Sequence, residues 1–291
     1  MRILFLILLS QLFGFLFYFV INDFSVKDIQ RSDFLELEFI KKLGVNLYLF
    51  ISQIVGILIP ALIVLFSFNG RDTINRIGIA LKGKYLFAVY GLMLLFMAYP
   101  LIQLSAIINE KMHISDIMKN SNELAEQITK MVLSFNSFAD FIIKTLLVAF
   151  LPALSEELFF RAGVQKEMTL GRVNPNLAII LTALIFSAFH MQFDGFLPRF
   201  FLGLILGYVY HWSGSITVSL ILHFFNNFIL LLTAYLNPQL INSENEAAMT
   251  QIPVYILLIS IVSVFILRAK LIELKNKELN EDNFETFDDN N

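Results

Sequence analysis

The stretch Pro152-Ala-Leu-Ser-Glu-Glu-Leu-Phe-Phe-Arg-Ala-Gly163 decides the fold, because three charged residues sit inside an apolar run that extends over Phe141–Val164. A helix that crosses a bilayer needs ~20 mostly apolar residues, and this run supplies them. A charge held in hydrocarbon is expensive and marks a functional site by default. Helical spacing separates the charges. Glu157 and Arg161 are i,i+4, so they stack on one face and can pair. Glu156 is turned about 100° away, onto a face with Ala149, Pro152, Ala153, Phe160 and Gly163, mostly small residues that let another helix approach closely. Lys144 lies near the helix end and can snorkel. One carboxylate is therefore expected on an arginine and the other in a tight interhelical space. The plainer alternative is an ion-pair network that only fixes packing.

Composition carries the membrane assignment to the whole chain. The 291 residues are 57% hydrophobic and 15% charged, with 31 Phe and a mean hydropathy of +0.71. Soluble chains are nearer ~45–50% apolar and ~25% charged, so the surplus must face lipid. The net charge of −3 argues against a nucleic-acid partner. With no cysteine, thiolate catalysis and Cys-based zinc sites are excluded.

The expected fold class is an all-α polytopic membrane protein with about eight transmembrane helices: Ile3–Ile21, Val45–Phe68, Tyr85–Ile108, Phe141–Val164, Asn176–Phe193, Phe196–Trp212, Ile216–Leu236 and Ala247–Leu267. The first is read as a retained span, since its apolar run exceeds a signal-peptide core and no small-x-small site follows before Asp23. Pro253 interrupts the start of the last. Lys and Arg lie slightly in excess on the side of Arg71, Arg76, Lys82 and Lys84, which predicts cytoplasmic termini. Residues 1–139 form a three-span region with an amphipathic connecting helix. Residues 140–236 form a core on the fourth to seventh spans, 237–267 hold the last span, and 268–291 form a polar acidic tail read as disordered. The connecting helix is predicted from Leu124, Ile128, Met131, Val132 and Phe135, within 120–135; it rests on the membrane surface or covers a substrate entrance.

Further polar groups fall on other spans. His190 closes Phe186-Ser-Ala-Phe-His190, and His223 and Asn227 share a face at i,i+4 in His223-Phe-Phe-Asn-Asn227. A lone membrane histidine is more often a packing residue than a catalyst. Two histidines, an asparagine and a glutamate pair on three helices point to a site. His113 lies in a loop, and His211 stands beside Tyr208, Tyr210 and Trp212 in an interfacial aromatic belt, so neither is a candidate. Gly203 and Gly207 form a G-x-x-x-G face for close helix packing.

Taken in order, Glu156-Glu157-x-x-x-Arg161, Phe186-x-x-x-His190 and His223-x-x-x-Asn227 resemble the three-motif signature of the CPBP family of intramembrane proteases, which includes the proteases that trim prenylated CAAX proteins. The resemblance extends over roughly 140–235. It implies an intramembrane endopeptidase acting on membrane-associated protein or peptide substrates, with membrane lipid around it and no nucleic acid. Peptide hydrolysis needs an activated water, donors to the oxyanion and a proton for the amine. The resemblance assigns Glu156 as general base, His190 as the residue that orients the water, and His223 and Asn227 as oxyanion donors. Glu157 and Arg161 are supporting residues. Glu156, His190 and His223 also make a conceivable Zn²⁺ ligand set with water fourth, although no obligatory cofactor is expected.

Other functions are compatible with the same residues: another reaction on a membrane substrate, a proton-coupled transporter, or a non-catalytic membrane scaffold or immunity protein that binds a peptide. The absence of an internal repeat counts against the transporter. Along straight spans, Glu156 lies ~12 Å and His223 ~10 Å from one membrane side but His190 ~21 Å. The fifth span is therefore expected to tilt or to begin outside the hydrocarbon.

Overall fold

The computed structural model describes residues 46–47, 49–69, 77–79, 81–112, 129–130, 132–190, 193–239 and 252–288. The expected span Ile3–Ile21 and most of the amphipathic stripe in 120–135 lie outside them. Among the described residues every regular element is helical. That is the outcome lipid imposes, since a helix satisfies its backbone polar groups within one segment. The helices are α1 (Ile59–Asn69, preceded by a π-turn at Ile54–Leu58), α2 (Tyr85–Lys111), α3 (Phe138–Leu170), α4 (Pro175–Phe189), α5 (Phe196–Ser213), α6 (Ile216–Leu236) and α7 (Val254–Asp288).

Among the described residues four stretches are long and apolar enough to cross a membrane: α2, α3, α6 and Val254–Glu281 of α7. The chain is thus an integral membrane protein, helical throughout its described elements. Two other expected spans are shorter helices. Val45–Phe68 yields the apolar stretch Leu49–Ile63, and Asn176–Phe193 yields the 15 residues of α4. At 1.5 Å per residue α4 rises ~22 Å, short of a ~30 Å hydrocarbon core. α4 ends at Phe189, and α5 starts after Gly195, whose φ of 116° lies in the left-handed region that only glycine adopts freely. α7 differs from expectation at both ends. It begins after Pro253, whose carbonyl takes the Ile256 N–H at 2.9 Å, and it continues through the supposedly disordered tail to Asp288. Charge spacing explains the extension. Lys270–Glu273 and Lys277–Glu281 pair along the helix, and Glu278 receives Lys84 Nζ at 2.5 Å.

The described residues fall into two compact units. The first gathers those up to 69, those from 129 to 174 and those from 223 to 239. Its axis is an antiparallel seam between α3 and α6. Phe150 meets Phe224 with ring centroids 6.4 Å apart, and Phe141 meets Phe228 at 6.1 Å and stacks on Tyr235 at 4.6 Å. Phe135 closes this cluster edge-on, and Lys144 Nζ lies 5.0 Å above its ring. That lysine is buried and not snorkelling: it donates to the Ser134 carbonyl and faces Asp140 at 3.5 Å.

The second unit gathers 77–112, 175–222 and 252–288. Phe87, Leu94, Leu206, Val209, Leu222 and Leu271 form its core. Gly203 lets α5 sit directly on α4, since a Cβ there would stand 3.1 Å from Ala183 Cα, and Gly207 is buried one turn on. Residues 140–174 and 223–236 fall in the first unit and 175–222 in the second.

Candidate active site

The glutamate pair stands where α3 departs from regular α geometry. Pro152 has no N–H to give, so a carbonyl of the preceding turn loses its donor. Immediately before the proline, Thr145–Phe150 widens into a π-helix, with Leu151 N–H bonded to the Leu146 carbonyl, five residues back. A short α stretch, Leu151–Glu156, follows. A second π stretch then begins at Glu157 and runs to Gln165. Single π-turns in otherwise α-helical segments occur often at functional sites; here Glu156 ends one geometry and Glu157 starts the other.

Within the first unit, α3 and α6 bring four of the expected residues together. Arg161 Nε lies 3.2 Å from Glu157 Oε2. Glu157 Oε1 lies 2.8 Å from His223 Nδ1, and His223 Nε2 lies 3.8 Å from Glu156 Oε2. All four are withdrawn from the surface: Glu157 is 0% exposed, Arg161 1%, His223 2% and Glu156 6%. The spacing argument had put the two carboxylates on separate faces with separate surroundings. Instead one imidazole spans both, because its two nitrogens point in diverging directions and adjacent helix positions can meet them from two sides.

Electrostatics distinguishes the carboxylates. Glu157 is engaged on both oxygens, by a guanidinium and by an imidazole. An ionised carboxylate only accepts hydrogen bonds, so the proton of this contact sits on His223 Nδ1. That fixes the ring and leaves Nε2 facing Glu156. Glu156 makes no direct hydrogen bond at 3.8 Å. The carboxylate is therefore held less tightly than its neighbour while being almost as deeply buried.

Asn227 follows His223 by one turn and is half-buried. Asn226 Nδ2 donates to Asn227 Oδ1 at 3.2 Å, so Asn227 keeps its amide N–H groups for another acceptor. His190 belongs to the second unit, in the turn after α4. Its Nδ1 lies 2.9 Å from the Phe186 carbonyl, and its ring meets Phe186 edge-on at 5.1 Å. A carbonyl cannot donate, so Nδ1 carries the proton and Nε2 is an acceptor.

A catalytic zinc site uses three protein ligands. Of the conceivable set, Glu156 and His223 stand in the first unit and His190 in the second, and the mechanism proposed for the chain is written without a metal.

Sequence reasoning missed one polar contact to this helix. Ser155, fully buried beside Glu156, has its Oγ 2.8 Å from Gln53 Oε1, on the residue that precedes the π-turn at Ile54–Leu58. Gln53 lies in the expected span Val45–Phe68 and carries no charge, so a search for intramembrane charges passes over it. A search for any intramembrane amide would have found it.

Residues 138–229 match the family model of type II CAAX prenyl endopeptidases (Rce1-like). The matched segment includes Glu156, Glu157, Arg161, His190, His223 and Asn227. No curated protein and no solved structure matches the chain.

Proposed function

We propose that this chain, whose residues 138–229 match the family model of type II CAAX prenyl endopeptidases (Rce1-like), hydrolyses peptide bonds of membrane-associated protein or peptide substrates with a water activated by Glu156. One observation carries the mechanism: His223 is gripped at Nδ1 by Glu157 while its Nε2 faces Glu156. Glu157 is committed to Arg161 and His223 and is a poor base. Glu156 has no such commitment.

In the proposed reaction Glu156 takes a proton from the water as its oxygen bonds to the substrate carbonyl carbon. Negative charge moves to the carbonyl oxygen, where Asn227 Nδ2–H receives it. His223 donates there from Nε2 once that nitrogen carries a proton, because Nδ1–H is already spent on Glu157. The proton taken by Glu156 passes across the 3.8 Å gap to Nε2 and from there to the leaving amine as the C–N bond breaks. To His190 we assign, on the resemblance alone, the orientation of the water through Nε2. No obligatory metal enters this scheme.

The test is cleavage of a membrane-anchored peptide library by purified protein in detergent. Glu156→Gln keeps shape and hydrogen bonding but removes the base, and should lower turnover ~10²–10⁴-fold while leaving the unfolding temperature unchanged. Cleavage by Glu156→Gln at the wild-type rate would refute the base assignment. Peptide binding with no cleavage by the wild type would favour a scaffold instead.

A further inference from the structure

Helix α5 begins with a defect that its own sequence cannot repair. The first N–H groups of any helix lack intrahelical partners, and the usual remedy is a side-chain oxygen at the N-cap. The N-cap of α5 is Gly195, which has no side chain to offer. A residue from another helix supplies the cap. Asn109, buried near the C-terminal end of α2, accepts the Leu197 N–H on Oδ1 at 2.9 Å and donates from Nδ2 to the Phe193 carbonyl at 2.9 Å. One amide thus holds Phe193 and Leu197, on either side of the N-cap Gly195. Ser187 adds a third tie, donating to the Phe196 carbonyl at 2.5 Å. The rings of Phe193 and Phe196 stack 5.9 Å apart over the turn.

His190 follows α4 and is three positions before Phe193. Its Nδ1 lies 2.9 Å from the Phe186 carbonyl, and its N–H is donated to the Ser187 carbonyl at 3.4 Å. Ser187 is itself tied to Phe196, so the placement of His190 is coupled to how the start of α5 is held. We infer that Asn109 is a positioning residue for His190, acting through the Phe193–Leu197 turn. This inference rests on the catalytic reading of His190 given above. Asn109 lies outside the matched segment 138–229 and in none of the three motifs.

Three measurements on the full chain in detergent test it. The first is kinetic: Asn109→Leu removes both hydrogen bonds and should lower kcat about tenfold or more, with KM nearly unchanged. Asn109→Asp keeps the acceptor for Leu197 N–H and should recover part of the loss. The second is a cycle with His190→Gln. If Asn109 acts through His190, adding Asn109→Asp to His190→Gln costs no further activity, whereas a purely structural role would cost the same in both backgrounds. The third needs no turnover. In histidine-labelled protein, the His190 ring resonances should shift in Asn109→Asp while those of His223 stay in place. Unchanged His190 resonances, or additive losses, overturn the positioning role even where activity falls. If His190→Gln alone retains full activity, the catalytic assignment of His190 fails instead, and the resonances still decide whether Asn109 sets its environment.

Discussion

Substituting Glu157 with glutamine separates the two carboxylates most sharply, because the structure gives them unequal duties. Glu157 is the only one of the pair with an oxygen on Arg161 Nε, at 3.2 Å, and it also receives His223 Nδ1 at 2.8 Å. A glutamine has one acceptor oxygen and no charge, so it can serve one of these partners and must present an N–H to the other. Arg161, 1% exposed, would lose its closest counter-charge in a medium that cannot solvate it. Breaking one partner of a buried pair costs ~3–5 kcal/mol. The charged hydrogen bond to His223 belongs to the same network and is not added separately. A destabilisation of that size lowers the unfolding temperature on the order of 10 °C. The fluorescence of Trp212, the single tryptophan, reports unfolding in detergent. Glu156→Gln is the control: with Oε2 3.8 Å from its nearest partner, it should unfold with the wild type. The expected pattern is a destabilised Glu157→Gln with impaired but measurable turnover, beside a stable Glu156→Gln with turnover nearly abolished. If Glu157→Gln unfolds with the wild type and is alone inactive, the two roles are reversed.

Gly203→Leu should destabilise by ~1–3 kcal/mol, since its Cβ would already stand 3.1 Å from the Ala183 backbone; thermal unfolding equal to wild type would show that α4 and α5 do not need this contact. A strong chelator should leave cleavage unchanged, and full inactivation reversed by added zinc would replace the metal-free scheme with a ligand set that includes Glu156 and His223.

Legibility in the sequence followed the strength of the physical signal. Charge in an apolar run singled out α3, and i,i+4 spacing put Arg161 within reach of Glu157. Both are local consequences of helical geometry. The contact of His223 with both carboxylates was not legible, because it depends on how far α6 is rotated against α3. Helix ends were read least well. Asn176–Phe193 reads as a full span because Met191 and Phe193 carry the apolar run past Phe189, where α4 ends. The polar end of α7 looked disordered because its stabilising partner, Lys84, is nearly two hundred positions away. Asn109 stands just past the expected span Tyr85–Ile108 and carries no charge, so nothing local marks it; its amide serves a helix from another part of the chain.

The two π stretches of α3 have a consequence for chain length. A π-turn accommodates one residue more than the α-turn it replaces, and is formally a single-residue insertion kept within a continuous helix. Thr145–Phe150 lies upstream of the glutamates and Glu157–Gln165 downstream. The helix therefore holds slack on each side of them. Loss of one residue within 145–150 can be absorbed by tightening that turn to α geometry, leaving Glu156 and Glu157 in phase with His223. A deletion in Leu151–Glu156, the regular stretch between the two reserves, has no such outlet and swings the pair by about 100°. The glutamates are thus protected against changes in length where the helix is irregular, and exposed to them where it is regular.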